Sequence, residues 1–261
     1  MSPRNDLAGP DRDFVEALSK GLDVLTCFGR KHSRLTLSEV ARLTGASPAS
    51  ARRSLHTMVV RGFLETDGKR FWMTSRSLLI AHAFLASQPM VALAQPLLDR
   101  LAEQTRESAS LAHLLDDDAI IVARATARRT LSTGLGIGSR LPAHASALGR
   151  MLLAGLEPGA MWSRVRAMSL AALTPDTPTS AAQVIAIVDH SRSTGHAECD
   201  NELEVGVRSL AVALRHPSGA TVAAMSIAVR AERMSMQTFR SELLPQLTNA
   251  RDRLSRMLFP S

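Results

Sequence analysis

Two adjacent arginines, Arg52 and Arg53, stand in the stretch SPASARRSLHTM, which runs from Ser47 to Met58. A guanidinium group donates hydrogen bonds in a planar fork that fits phosphate oxygens and the edge of guanine, so a pair of them suits contact with a polyanion. The alternative is that both charges are solvated on an exposed helix face. The surrounding elements have to distinguish these interpretations.

The arginines fall in a segment that the sequence predicts to be a short helix. Ser47 is placed to cap it, Pro48 suits its first turn and Gly62 is placed to end it. At about 100° per residue, one side of the helix is apolar and the opposite side is basic and polar. The apolar side carries Ala51, Leu55 and Met58, and the other side carries Ala49, Arg52, Arg53, His56 and Thr57.

A second short helix precedes this one. The segment LTLSEVARLTGAS has apolar residues at helical spacing, Thr36 or Ser38 as a cap and Gly45 at its end. An upstream helix is predicted over FVEALSKGLDVLTCF, which the segment GRKHSR then interrupts. Two short helices joined by a turn with glycine are typical of a helix-turn-helix.

Two strand-like runs, GFLET and RFWMT, follow the basic helix and are separated by DGK. Asp-Gly between such runs predicts a hairpin. Three helices and a hairpin form a winged helix, predicted over residues 12–75, whose second paired helix enters the major groove of DNA. The candidate DNA-binding residues are Ser47, Ser50, Arg52, Arg53, His56, Lys69 and Arg70.

Composition is that of a globular protein with a polyanion-binding bias. The chain has 261 residues, of which 45% are hydrophobic and 21% charged, with a net charge of +7. It has two distant cysteines, which exclude a disulfide framework and argue against a zinc site. Tyrosine is absent and aromatic residues make up 3%, so stacking platforms for single strands are scarce and a duplex partner is expected.

No signal peptide or run of 18 apolar residues is found, so we expect a soluble cytoplasmic protein without membrane contact. Residues 76–88 are predicted to form a linker helix and residues 89–261 an α+β domain with a mostly antiparallel sheet. Pro96 is expected to start or kink a helix locally. Strands are expected in SASLAHLL, AIIVARAT, RTLSTGLGIG, HAEC, RSLAVALRH and ATVAAMSIAVR, and a last helix from about Ser235 to Phe259.

Alternation in the last two strands separates a face of small residues from a face of bulky ones. The small face carries Ser209, Ala211, Ala213, Ala224, Ser226 and Ala228. Such a face either admits a helix at close range or lines a ligand pocket, and its two hydroxyls favour the pocket. The loop LPAHASALG precedes a helix, whose first amides either face an anion or belong to an ordinary cap.

Signals of catalysis are scarce. GLGIGS lacks the third glycine of a dinucleotide-binding loop, and no Walker loop, GxSxG or HExxH motif occurs. His144 and Ser146 are too close in sequence to indicate a catalytic triad by themselves. We therefore assign no catalytic residue, metal site or cofactor.

Four stretches of the chain resemble the IclR family of bacterial transcriptional regulators, and the match covers nearly everything from Phe14 to the last helix. They are KGLDVLTCF, LTLSEVARLTGASPASARRSLHTMVVRGFLETDGKRFWMT, GSRLPAHASALGRMLLAG and NELEVGVRSLAVALRHPSGATVAAMSIAV. The segments RDFVEALSKGLDVL, ARRSLHTMVVRGF and RLPAHASALGR are most similar to the branch that regulates protocatechuate and 4-hydroxybenzoate catabolism, the β-ketoadipate pathway.

The resemblance implies a winged helix, a linker helix, a GAF-like effector domain, and dimers that often pair into tetramers. It implies effector contacts from Leu131, Leu141, Ala147, Leu148, Cys199, Ser209, Ser226 and Ala228. Some relatives have aspartate in place of Cys199, and a hydroxyl found elsewhere is replaced at Ala228. The expected effector is a small carboxylate such as protocatechuate, 4-hydroxybenzoate or β-ketoadipate.

These observations together predict a ligand-responsive transcription factor that acts on duplex DNA. Two other classes remain open. A small-molecule enzyme with an accessory DNA-binding domain would turn over candidate ligands. A nonspecific architectural protein would bind scrambled sequences as tightly as its own sites.

Overall fold

The computed structural model describes residues 13–29, 32–127 and 134–260. The chain divides into two compact units, Met1–Phe84 and Leu85–Ser261. The division falls inside the segment predicted as a linker over residues 76–88, so the domain boundaries proposed from the sequence stay a prediction.

The N-terminal unit is a winged helix, as predicted. Its elements are α1 Glu16–Thr26, β1 Leu35–Thr36, α2 Leu37–Thr44, α3 Pro48–Val60, β2 Leu64–Thr66 and β3 Arg70–Met73. The strands pair antiparallel in the order β1-β3-β2. Strand β1 was not predicted, because its two residues are too few to show an alternating pattern.

Side-chain caps fix the two paired helices. The Thr36 hydroxyl accepts from the Glu39 amide while the Glu39 carboxylate accepts from the Thr36 amide at 2.8 Å, which completes a capping box at the start of α2. The Ser47 hydroxyl accepts from the Ser50 amide at the start of α3. Gly45 joins the two helices with φ of 66°, a backbone conformation that glycine adopts without strain.

Two helices follow the wing. A short 3-10 turn leads into α4 Leu78–Ser87, and α5 Pro89–Thr105 comes next. Pro96 does not start a helix, because α5 begins at Pro89 and Pro96 lies in its interior. That part of the expectation was wrong. No residue of α4 is buried, although the helix is apolar along most of its length.

The second unit contains a six-stranded antiparallel sheet in the order β6-β5-β4-β9-β8-β7. Its strands are β4 Ser108–Leu115, β5 Asp118–Ala125, β6 Arg140–Pro142, β7 His196–Asp200, β8 Val207–Arg215 and β9 Thr221–Arg230. The strand expected in RTLSTGLGIG is not found in its described part, residues 134–138, which contain a bend and a turn. The adjacent strand is β6, three residues that the sequence suggested were loop.

Helices cover both faces of this sheet. They are α5, α6 Ala147–Ala154, α8 Ala181–Thr194 and α9 Met236–Leu258, while α7 Pro158–Ala167 packs against α6 and α8. The bulky face packs with α5 and α9 in one hydrophobic cluster, which includes Leu210, Met225 and Phe239. The small face packs with α6 in another, through Ala211, Ala213 and Ala224. The predicted division of the late strands into two faces is therefore confirmed.

Among the described residues, no single helix has both the length and the apolar composition needed to cross a membrane. The bent pair Ser75–Ser87 and Pro89–Thr105 meets these two criteria only when its helices are taken together.

Candidate nucleic-acid interface and ligand site

Helix α3 presents its basic side to solvent. Arg52, Arg53 and His56 are exposed, as is the capping residue Ser47, whereas Ala51 and Leu55 are buried against the winged-helix core. Ser50 differs from the other candidates because only 8% of its surface is exposed. The basic residues of α3 are therefore accessible to a polyanion, and Ser50 lies mainly on the core side.

The tip of the β2–β3 hairpin is fixed by one carboxylate. The Asp67 Oδ1 atom accepts hydrogen bonds from the Lys69 and Arg70 amides at 2.9 and 2.7 Å. These amide bonds, first of all that of Arg70, hold the pKa of Asp67 below its usual value, so the turn keeps its charge-assisted bonds near neutral pH. The side chains of Lys69 and Arg70 are exposed at this fixed tip.

A further basic residue, which the sequence analysis did not identify as a candidate, lies beside the wing. The guanidinium carbon of Arg34 lies 4.3 Å from the centre of the Trp72 ring, a cation–π contact. The Trp72 indole in turn donates to the Glu65 carboxylate at 3.0 Å. No sequence signal marked Arg34, because the contact depends on β1 lying next to β3.

On the sheet of the second unit, strand register aligns polar residues in a row across the small face. Ser110 of β4 lies opposite Arg124 of β5 on one side and Ser226 of β9 on the other. Ser226 in turn lies opposite Ala211 of β8. Directly opposed residues of antiparallel strands have Cβ atoms about 5 Å apart, so Arg124, Ser110 and Ser226 form a continuous polar row.

A second row runs parallel to the first, two residues further along each strand. Ser108 lies opposite Ala228, Ala228 opposite Ser209, and Ser209 opposite Cys199 at the edge strand β7. Ser209 and Ala228 are partly exposed, whereas Ser108 and Cys199 are buried. The structure therefore brings four of the candidate ligand residues, Cys199, Ser209, Ser226 and Ala228, onto these two rows.

Arg124 supplies the positive charge of the small face. Its Nη1 atom donates to the Ser110 hydroxyl at 2.8 Å. Burial lowers the pKa of Arg124 from its ordinary value, because the guanidinium is partly removed from water. A guanidinium among small and apolar side chains attracts a carboxylate more strongly than one in water.

The loop before α6 and the start of that helix close the same face. Leu141, Ala147 and Leu148 are buried in the small-face cluster. The Ser146 hydroxyl caps α6 by accepting a hydrogen bond from the Gly149 amide at 3.1 Å. Of the two alternatives for this loop, an anion site or an ordinary helix cap, this bond is the one expected of a cap. A Cβ atom on Gly149 would lie 2.2 Å from the Ala143 Cα, so glycine is required for the close approach. Leu131, the remaining candidate, lies outside the described residues.

The Cys199 thiol lies between these segments as a neutral donor. Its sulfur lies 3.2 Å from the Ala145 carbonyl oxygen. Burial raises the pKa of Cys199 to about 11, so the group remains a thiol at neutral pH. Since the thiolate is the reactive form, Cys199 is suited to hydrogen bonding and packing rather than to nucleophilic chemistry.

A buried ion pair lies next to these residues, and the sequence analysis did not identify it either. Arg150 of α6 is 1% exposed, and its guanidinium forms a bidentate pair with the Glu202 carboxylate. It also donates to the backbone carbonyls of His144 and Glu198. One side chain therefore connects α6 to both the loop before it and the end of β7.

Two surface clefts lie away from the polar rows. One, of about 420 Å³, is lined by residues of β8 and α9 that include Arg251, whose charge is offset by Asp252. The other, of about 670 Å³, lies between residues 175–179 and α8. Neither cleft is lined by Arg124 or by the serines of the rows, and we place the candidate ligand site at the rows because charge, hydroxyls and apolar walls meet there.

Two family models match the chain. A model of the C-terminal domain of bacterial IclR transcriptional regulators matches residues 82–256, and a model of the IclR helix-turn-helix domain matches residues 17–68.

Individual proteins are similar over nearly the whole chain. The Pca regulon regulatory protein of Pseudomonas putida is 34% identical over 250 residues, which cover 95% of this chain and 86% of that protein. The p-hydroxybenzoate hydroxylase transcriptional activator of Acinetobacter baylyi is 32% identical over 251 residues, which cover 94% and 93%. A crystal structure of the inducer-binding domain of a double mutant of PobR from Acinetobacter, in complex with 3-hydroxybenzoic acid, matches with a TM-score of 0.60. It is 29% identical and covers 64% of this chain and 98% of that chain.

Proposed function

Because the chain belongs to the IclR family of transcriptional regulators, we propose that it controls genes of aromatic acid catabolism in response to a small aromatic carboxylate. The family assignment, first inferred from four sequence stretches, is confirmed, and it makes the protein a DNA-binding regulator rather than an enzyme. We infer the effector class from the polar row that Arg124, Ser110 and Ser226 form on the small face, because it combines a positive charge with hydroxyl groups. A regulator of chromosomal genes works in the cytoplasm, which is the localisation we infer.

On the DNA, helix α3 occupies the major groove and the wing contacts the backbone. Arg52 and Arg53 read base edges or bind phosphates, supported by Ser47, His56 and, from its more buried position, Ser50. Lys69 and Arg70 bind phosphates from the hairpin tip that Asp67 holds in place. The exposure of the charged residues and the rigidity of the tip support this division of roles.

The division predicts different consequences for two single substitutions. Lys69→Ala should weaken binding to all duplexes about equally and reduce the steepness with which affinity falls with salt. Arg52→Ala should cost about 1 to 3 kcal/mol, mainly on the cognate site. Fluorescence anisotropy over a salt series, with operator and scrambled duplexes, measures both effects. Equal losses on the two duplexes for both variants would contradict the assignment, and equal wild-type affinity for the two duplexes would favour an architectural protein.

We infer that the protein acts as a homodimer, with a tetramer as a further assembly. Helix α4 leaves Leu78, Leu79 and Ile80 exposed by 67, 63 and 56%, and α1 likewise leaves Leu18 and Leu22 exposed. Several large apolar side chains left exposed on one helix support an interaction site there. A dimer also reads two half-sites, which a single winged helix needs in order to stand out among genomic competitors.

The dimer is tested by placing charges on α4. Leu79→Asp combined with Ile80→Asp should convert the protein to a monomer and lower operator affinity at least tenfold. Sedimentation velocity at micromolar concentration measures the assembly, and Leu115→Asp, on an exposed leucine of the other unit, is the matched control. A wild-type monomer bound one to one on an asymmetric site would rule the dimer out.

The effector binds with its carboxylate at Arg124 and its ring between the small face and the residues that precede and begin α6. Ser110, Ser209 and Ser226 supply hydroxyls for ring substituents, and Leu141, Ala147 and Leu148 supply apolar contacts, with Leu131, Cys199 and Ala228 as further lining. The name of one relative, which concerns p-hydroxybenzoate hydroxylase, supports a hydroxylated aromatic acid. The resemblance to the branch that regulates the β-ketoadipate pathway adds a β-keto dicarboxylate as the alternative.

Calorimetric titration with 4-hydroxybenzoate, protocatechuate and β-ketoadipate, with and without operator DNA, tests the effector class. A ligand alters DNA binding only through a coupling free energy, typically about 1 to 3 kcal/mol, and the coupling is reciprocal. We expect one of the three acids to bind, with an affinity that changes when DNA is present. If none binds the wild-type protein, the assignment to this branch of catabolism is wrong.

A further inference from the structure

The loop of residues 201–206, between β7 and β8, has a closed and well-bonded base. The Asn201 side-chain oxygen accepts from the Gly206 amide at 2.7 Å, and the Asn201 amide donates to the Val207 carbonyl at 2.9 Å. Asn201 and Gly206 both have positive φ, which sets the two corners of the loop. The intervening residues, Glu202 to Val205, therefore form a loop with fixed ends beside the second polar row.

Glu202 ties this loop to two other segments. Its carboxylate pairs with the buried Arg150, with Oε1 3.0 Å from Nη1. Its backbone carbonyl accepts from the Thr177 hydroxyl at 2.6 Å. A carboxylate that neutralises a buried guanidinium is strongly held in place, because separating the two leaves an uncompensated charge away from water.

Leu203, the next residue, lies against the small face. Its side chain packs on the cluster that contains Cys199, Leu148 and Ala211. Against the larger effect of burial, which raises the pKa of Cys199, backbone hydrogen bonding by Leu203 and Glu202 lowers it. Val205, two residues further on, is 66% exposed and does not pack on this cluster.

We propose that Leu203 forms an apolar wall of the effector site and limits the size of the acid that binds, and that Glu202, Arg150 and Thr177 are positioning residues that hold it there. This inference rests on the proposed function, since it concerns the same site. Leu203 is the one apolar side chain of the loop that reaches the cluster containing the candidate ligand residues Leu148 and Cys199. Its position depends on Glu202, which precedes it and is bonded on both its carboxylate and its carbonyl.

The wall is tested by selectivity. In Leu203→Ala, the ratio of affinities for 4-hydroxybenzoate and the larger 4-hydroxy-3-methoxybenzoate should shift at least tenfold toward the larger acid, within the 10- to 200-fold range that one methylene group of a pocket controls. Calorimetry on the full chain measures both affinities, and Val205→Ala is the control, with a ratio within twofold of wild type. Equal changes for both acids in Leu203→Ala would overturn the wall, since general damage to the fold does not discriminate between them.

The positioning role is tested without ligand. Glu202→Gln keeps the shape of the side chain but removes its charge, and amide hydrogen exchange over residues 200–206 should accelerate at least tenfold while the strands β4 and β9 exchange as in wild type. If Glu202→Gln does not fold, Thr177→Val removes the hydroxyl bond to the Glu202 carbonyl without disturbing the buried charges, and the same acceleration is expected. Unchanged exchange over the loop in the folded variant overturns the positioning role.

Failure of the proposed function is distinguishable from failure of this inference. If wild-type protein binds none of the hydroxylated acids, the effector class is wrong, and so is the role of Leu203 as a wall of that site. The exchange measurement still decides whether Glu202 positions the loop. If wild type binds an acid but Leu203→Ala keeps the wild-type ratio, the effector class stands and the wall alone is wrong.

Discussion

Replacing Ser226 with leucine is expected to abolish the heat of effector binding while leaving operator affinity nearly unchanged. Ser226 is 5% exposed and lies between Ser110 and Ala211 on the small face, so a leucine there fills the space that the effector ring needs. Overpacking of this kind typically costs about 1 to 3 kcal/mol of stability, which a folded domain can tolerate. Calorimetry with the acid that binds wild type, and anisotropy with operator DNA, measure the two quantities.

Two matched variants separate volume from chemistry in this experiment. Ser226→Ala keeps the space and removes one hydroxyl, so it should retain binding with a modest loss. Arg124→Gln should weaken the aromatic acid strongly but leave the affinity for its neutral amide, 4-hydroxybenzamide, almost unchanged, because only the acid has a carboxylate for the guanidinium. The pocket hypothesis would be falsified by a Ser226→Leu variant that binds the effector like wild type.

Replacing Arg150 with methionine is expected to destabilise the second unit by about 3 to 5 kcal/mol, because it leaves the Glu202 carboxylate without its buried partner. The double variant Arg150→Met with Glu202→Leu removes both charges and should recover most of the loss. Urea unfolding, followed separately for the two units because the chain need not unfold in one step, gives the free energies.

The comparison of single and double variants is the decisive part of that measurement. If Arg150→Met is as stable as wild type, the ion pair contributes nothing. If the double variant is as unstable as the single one, the loss comes from packing or from the carbonyl bonds to His144 and Glu198 rather than from the unpaired carboxylate.

Local patterns were sufficient to predict the winged helix and the two faces of the late strands. The cap at Ser47, the glycine at Gly45 and the Asp-Gly turn each act within a few residues, so the sequence alone displays them. The alternation that separates Ser226 from Ile227 likewise needs no knowledge of neighbouring strands. These features are local, which is why they were predicted correctly.

The charged part of the ligand site was not predictable in this way. Ser110 meets Ser226 only because β4 pairs with β9, strands more than a hundred residues apart, and no local pattern specifies that pairing. Arg124 sits in an apolar strand where one arginine is easily read as solvent-facing. The Arg150 pair depends on a loop position, Glu202, which periodicity does not address.

The alignment of polar residues in rows has a consequence for how such a regulator changes its inducer over evolution. Each position in a row comes from a different strand, and its side chain is set by register rather than by neighbours in sequence. A one-residue insertion or deletion inside β9, next to Ser226, would place a bulky residue on the small face and reverse the facing of every residue on the shifted side of the strand. Point substitutions at row positions instead retune one contact at a time on an intact scaffold. New inducers should therefore arise in this fold by stepwise replacement within the sheet, with length changes confined to its loops.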